Sequence, residues 1–64
     1  MELLCRINHY LALSGLPETK FGRLAVHDPR FVSDLRNGRE PRARTVARVE
    51  HFIAADAAAR ETRQ

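Results

Sequence analysis

Sixty-four residues suffice for one domain, and a chain this short buries only about 60% of its unfolded surface, leaving no apolar side chains to line a deep substrate cavity. The lone cysteine, Cys5, excludes an internal disulfide framework, and no apolar run approaches the roughly 20 residues that span a bilayer. The net charge of +3 is unevenly placed: residues 1–29 balance three basic against three acidic groups (0), residues 30–48 hold six arginines against two acids (+4), and residues 49–64 hold two arginines against three acids (−1).

The first predicted helix places Leu3, Leu4, Ile7, Tyr10 and Leu11 at helical spacing, with Arg6, Asn8 and His9 on the other face. Ser14-Gly15 ends it, because glycine takes the left-handed conformation past a helix C-terminus at no steric cost. A second helix starts near Pro17, with Glu18 favourably placed in the first turn and Phe21, Leu24 and Ala25 as its inner face. Then His27-Asp28-Pro29 interrupts the pattern. Asp28 is a capping residue and Pro29 suits a first helical position, so a third helix is expected from about Pro29 to Arg36, burying Val32, Leu35 and part of Phe31. Asn37-Gly38 stops it, and Arg39 to Arg42 form a loop through Pro41. The fourth helix carries the stripe Val46, Val49, Phe52 and Ile53 and can extend through the alanines 54–59, while Arg60 to Gln64 are expected to fray. No segment alternates with period two over strand length. The expectation is an all-α fold of four helices, with a possible fifth turn, as one domain over residues 1–56 and an Ala/Arg-rich tail, partly helical or frayed, over 57–64.

Two short helices joined by a three- or four-residue turn, the second well capped and followed by a basic loop, make a helix-turn-helix pattern. The stretch Leu16 to Pro41, 26 residues, resembles the phage repressor and Cro-type helix-turn-helix family. Its apolar spacing is met by Leu16, Phe21, Ala25, Val32 and Leu35, and its closing Asn-Gly-basic-x-Pro element by Asn37-Gly38-Arg39-Glu40-Pro41. Gly22 stands where the family has a small residue, which lets the second and third helices approach closely. Two positions depart from the pattern. Glu18 replaces a frequent glutamine and would repel phosphate; Arg36 replaces a frequent glutamate, removing a salt-bridge partner and adding positive charge.

The resemblance implies a lambda-repressor-like domain that lays the helix over residues 28–36 in the major groove of double-stranded DNA, with its N-terminal residues on base edges. The candidates there are Arg30, Phe31, Ser33 and Asp34: Arg30 for a guanine O6/N7 pair, Phe31 for a thymine methyl, and Asp34 either holding Arg30 or accepting from cytosine. Pro29 has no donor to offer. Backbone phosphates fall to Lys20 and Arg23 on the second helix, then to Arg36, Asn37 and Arg39, and to Arg42 and Arg44 at the start of the fourth helix. Ten of the eleven basic residues are arginine, whose planar donors suit phosphate and guanine better than lysine does.

Nothing in the sequence asks for a cofactor or metal: Cys5 and His9 lie four apart, short of the four ligands of a structural zinc site. No nucleophile–base pair or Gly-rich phosphate loop argues for an enzyme, and His27 reads as a turn residue. The N-terminal Met1-Glu2-Leu3-Leu4-Cys5-Arg6 lacks a basic n-region and a cleavage site, so the expected setting is cytoplasmic and nucleoid-associated in a bacterium, with no membrane partner. A sequence-specific transcriptional regulator acting as a homodimer is the expected function. The rivals are a weakly specific architectural DNA-binder, and an antitoxin or RNA polymerase-binding adaptor that uses the same fold for a protein partner.

Overall fold

The computed structural model describes residues 2–61, with side chains through residue 59. Four helices run in chain order: α1 (Leu3–Ser14), α2 (Glu18–Val26), α3 (Phe31–Arg36) and α4 (Ala43–Glu61). No strand occurs among the described residues. The all-α reading holds, and no helix among the described residues is long and apolar enough to cross a membrane.

Each helix ends where local chemistry dictates. At the close of α1, Gly15 takes φ 72° and donates its N–H to the Leu11 carbonyl at 2.9 Å. The second helix begins one residue after Pro17, which caps it from an extended conformation while its carbonyl accepts the Phe21 N–H at 2.9 Å. His27 closes α2 in the left-handed region at φ 59°, donating to the Arg23 carbonyl at 3.0 Å. A non-glycine residue there is uncommon, though histidine is among the side chains that tolerate it best.

The third helix is shorter than expected. Pro29 and Arg30 form a turn instead of its first two positions, and the helix begins at Phe31. Asp28 is not its cap, as the N-cap is Arg30 and has no side-chain capping bond; Asp28 instead holds the turn, its Oδ1 accepting the Arg30 N–H at 3.0 Å and its carbonyl the Phe31 N–H at 3.1 Å. An aspartate that bonds the backbone two residues on competes with helical geometry at those residues, which moves the start downstream. At the other end, Gly38 (φ 97°) donates to the Leu35 carbonyl at 3.1 Å and Arg39 donates to the Asp34 carbonyl at 3.0 Å. This double closure is a Schellman motif, with Gly38 in the position that demands positive φ.

The core is built from Ile7 and Tyr10 of α1, Phe21 and Ala25 of α2, Phe31 and Val32 of α3, and Val49 of α4. Leu3, Leu4, Leu11, Leu16, Val26, Leu35, Phe52 and Ile53 pack around it. Tyr10, Phe21 and Phe52 form a triangle with ring centroids 5.5, 5.6 and 6.1 Å apart, two of the three contacts being edge-on. Such contacts add about 0.5–1.5 kcal/mol each beyond area burial, a useful share of a small domain's stability. Two polar ties fasten α1 to α4: Arg6 Nη1 donates to Glu50 Oε2 at 2.7 Å, and the Tyr10 hydroxyl donates to Asp56 Oδ2 at 2.7 Å.

Leu24 corrects the sequence reading, being half exposed rather than inward. The buried members of α2 are Phe21, Gly22 and Ala25. At about 100° per residue, an arc centred on these three leaves Leu24 roughly 100° off its middle. The α4 helix runs unbroken past residue 56 to Glu61, so the expected tail begins inside a continuous helix. Residues 62–64 of that tail lie outside the described residues.

Candidate nucleic-acid interface

Helices α2 and α3 are joined by the four residues His27, Asp28, Pro29 and Arg30, the connection a helix-turn-helix uses. The close approach is set at Gly22. A Cβ built there would stand 2.2 Å from the Asp28 carbonyl oxygen and 3.3 Å from the Phe31 Cβ. The same stretch of backbone is tied to α2 by the Asp28 N–H, which donates to the Gly22 carbonyl at 3.1 Å. Only hydrogen fits between α2 and the turn that leads into α3.

Of the four candidates for base contact, the structure leaves two available. Arg30 caps α3 from an exposed position, its main chain held by Asp28 and its guanidinium without an ion pair among the described residues. Ser33 is exposed one helical step further along. Phe31 is a correction: it is fully buried, so its ring packs in the core and offers no edge to a thymine methyl. It lies four residues before Leu35 and beside Val32, on the same inward face of the helix. Asp34 is engaged as well, but by a different partner than expected. Its Oδ2 accepts from Arg39 Nη1 at 3.1 Å, where the sequence spacing had suggested Arg30.

The backbone candidates divide in the same way. Lys20, Arg23, Arg42 and Arg44 are exposed, and none has an ion pair among the described residues; Asn37 is exposed at the C-cap of α3. The first turn of α4, which carries Arg44, has no acidic residue. By contrast Arg36 Nη2 donates to Asn8 Oδ1 at 3.0 Å and to Glu18 Oε2 at 3.2 Å. The two residues that depart from the family pattern therefore pair with each other. The pair is exposed and contributes about 1 kcal/mol or less, so its main effect is to cancel a carboxylate charge at the start of α2.

Arg39 is the most connected of these cations. Its Nη1 reaches Asp28 Oδ2 and Asp34 Oδ2, each at 3.1 Å, and its guanidinium carbon lies 5.8 Å from the centroid of the Phe31 ring. That distance is inside the range of a cation–π contact. Sequence reasoning missed this cluster, although the Asn37-Gly38 stop carried a signal for it. A Schellman closure folds the residue after the glycine back over the last turn, which brings Arg39 to Asp34.

The carboxyl of Asp28 is held below the usual aspartate range, first by the Arg30 amide and then by the Arg39 guanidinium. Arg39 is raised in turn, chiefly by Asp28. A depressed carboxyl contributes stability that is complete above the ordinary aspartate value, about pH 4, and lost as pH falls through the lower folded value. An NMR titration of the Asp28 side-chain carbonyl carbon should therefore show its midpoint below about pH 4, and a midpoint at or above that value would contradict its bonds to the Arg30 amide and to Arg39.

A second feature lies away from this unit. An open groove of about 330 Å³ between α1 and α4 is lined by Arg6, His9, Tyr10, Leu13, Ile53 and Ala57, and Leu13 is 70% exposed at its side. No family model, curated protein or solved structure matches the chain.

Proposed function

We propose that this protein is a sequence-specific double-stranded DNA-binding regulator of the phage repressor and Cro type, with α3 and the turn before it directed into the major groove. The observation that carries the reading is the division of its cations. Around a helix–four-residue turn–helix unit, Lys20, Arg23, Arg30, Arg42 and Arg44 are exposed without ion pairs among the described residues, while Arg36 and Arg39 neutralise the acids Glu18, Asp28 and Asp34. Unpaired arginines near a helix start are costly to one another and to the helix dipole, and an anionic backbone relieves both.

In this reading Arg30 donates to the O6 and N7 of a guanine, and Ser33 contacts a neighbouring base edge. Lys20, Arg23, Arg42 and Arg44 bind phosphates, joined by Asn37, and fix the register of α3 on the duplex. A single short helix offers few base contacts, so two copies on half-sites a helical turn apart supply the needed specificity.

Selection of bound sequences from a random duplex pool tests this directly, since a two-fold consensus would establish specificity and symmetry together. The variant Arg30→Ala should then lose preference at one base pair per half-site, at a cost of about 1–3 kcal/mol, while binding to random duplex changes little. Unchanged preference would remove Arg30 from the base-reading role. Equal affinity for selected and random duplex would favour the architectural rival. No binding to any duplex at about 50 mM salt, where phosphate contacts are strong, would sink the DNA reading and favour a protein partner.

A further inference from the structure

We propose that Arg39 is a positioning residue for base recognition and not a phosphate contact: bridging Asp28 and Asp34, it fixes the turn from which Arg30 reads the base. This rests on the DNA-binding reading above and says how that site acquires its specificity.

Arg30 has little of its own to hold it. It caps α3 from a turn conformation (φ −95°, ψ 2°), and its guanidinium makes no hydrogen bond or ion pair among the described residues. What fixes its main chain is the Asp28 carboxylate, whose Oδ1 accepts the Arg30 N–H at 3.0 Å. The other oxygen of that same carboxylate, Oδ2, is held by Arg39 Nη1 at 3.1 Å. Held at both oxygens, the carboxylate keeps the plane and side-chain rotamer from which it accepts the Arg30 N–H.

Arg39 is itself anchored at three points. Its amide donates to the Asp34 carbonyl at 3.0 Å, Nη1 donates to Asp34 Oδ2 at 3.1 Å, and its guanidinium lies over Phe31, which is fully buried. The chain of contacts thus runs from the end of α3, through Arg39, to the turn that begins it. Arg39 also masks two carboxylates on the α3 side of the motif, a surface that would otherwise repel the duplex. Committed to two carboxylates and a ring, its charge is the least available of the arginines around α3.

The test uses the full chain and three measurements on each variant: folding by circular dichroism, the salt dependence of binding to random duplex, and the ratio of affinities for the selected duplex and its single-base-pair change at the Arg30 position. For Arg39→Ala the expected result is a folded protein whose affinity ratio falls at least about fivefold, a loss smaller than the one bidentate contact is worth, with the salt slope unchanged. A slope reduced by about one with the ratio intact is the signature of a lost phosphate contact and overturns the proposal. An unchanged ratio and slope overturns it also, leaving Arg39 a structural residue only.

A second variant covers the case in which Arg39→Ala does not fold. Asp28→Asn combined with Asp34→Asn keeps the accepting oxygen and removes both charges that Arg39 bridges. Positioning predicts the same loss of affinity ratio, whereas a phosphate-binding Arg39, set free, would tighten binding to every duplex and preserve the ratio. Amide hydrogen exchange separates this proposal from the DNA reading itself. Exchange at the Arg30 amide should accelerate in Arg39→Ala without any duplex present, and unchanged exchange would overturn the positioning role even if the protein binds no DNA.

Discussion

Replacing Gly22 with alanine should clearly destabilise the protein and lower its melting temperature, even though helix propensity alone predicts the opposite. Alanine in a helix interior is favoured over glycine by about 1 kcal/mol. Against this stands the Asp28 carbonyl oxygen, 2.2 Å from the position a Cβ would take, with the Phe31 Cβ at 3.3 Å behind it. Real Cβ atoms do not approach so near, and the obstacle is main chain, which cannot swing aside as a long side chain can. Relief would require the turn to lift from α2, breaking the hydrogen bond from the Asp28 amide to the Gly22 carbonyl and withdrawing Phe31 from the core. Overpacking of this kind costs about 1–3 kcal/mol and more when backbone must move, so the net effect should be a loss of roughly 2 kcal/mol or more. For a chain of this length the whole stability is roughly 3–10 kcal/mol. Thermal unfolding followed by circular dichroism checks this, and a melting temperature equal to or above that of the parent protein would refute the close approach.

The sequence carries this constraint in a form that can be read. Gly22 lies between Phe21 and Ala25 in a helix, at a place where the resemblance calls for a small residue, and the turn His27-Asp28-Pro29 follows at once. The four helices were legible for the same reason: their apolar spacings at Ile7 and Tyr10, Phe21 and Ala25, and Val46 to Ile53 are one-face patterns bounded by Gly15, Pro17 and Gly38. What was not legible depends on which of two local rules wins. Asp28 was read as a cap placed directly before a helix, yet its carboxylate reaches two residues on and holds a turn, which delays α3 to Phe31. The polar partners were least legible. Arg36 meets Asn8 and Glu18 across 28 and 18 residues, and Arg39 meets Asp28 across 11, separations at which no periodicity says which charge finds which. An exposed cation and a committed one look alike in sequence. Of the candidate residues on α2, the turn and α3, most are exposed, whereas Phe31 is buried and Asp34, Arg36 and Arg39 are committed to one another or to Asn8, Glu18 and Asp28.

Phe31 shows the cost of that mixture, and truncating it should separate the two roles a residue at this position can have. If its ring served a base edge, Phe31→Ala would leave a stable protein with an altered preference for thymine. The ring is instead fully buried, among the largest such side chains in the molecule, and lies beneath the Arg39 guanidinium at 5.8 Å. Removing a buried phenylalanine costs about 3–5 kcal/mol in transfer and cavity terms, which is most of what a domain this small possesses. The expected outcome is loss of cooperative unfolding and loss of binding to all duplexes together. Phe31→Leu, which keeps much of the volume, should fold with a lowered melting temperature and select the same bases, because the atoms it removes never meet the duplex and any weakening of the preference comes through Arg39. A folded Phe31→Leu protein with changed base preference would show that the turn opens on binding and brings the ring outward. Short of that result, the base-contact candidates left exposed are Arg30, in the turn before α3, and Ser33 on the helix itself. On the proposed DNA-binding reading, specificity is concentrated in very few side chains, and Arg39, by holding the turn that carries one of them, would govern more of it than its own contacts suggest.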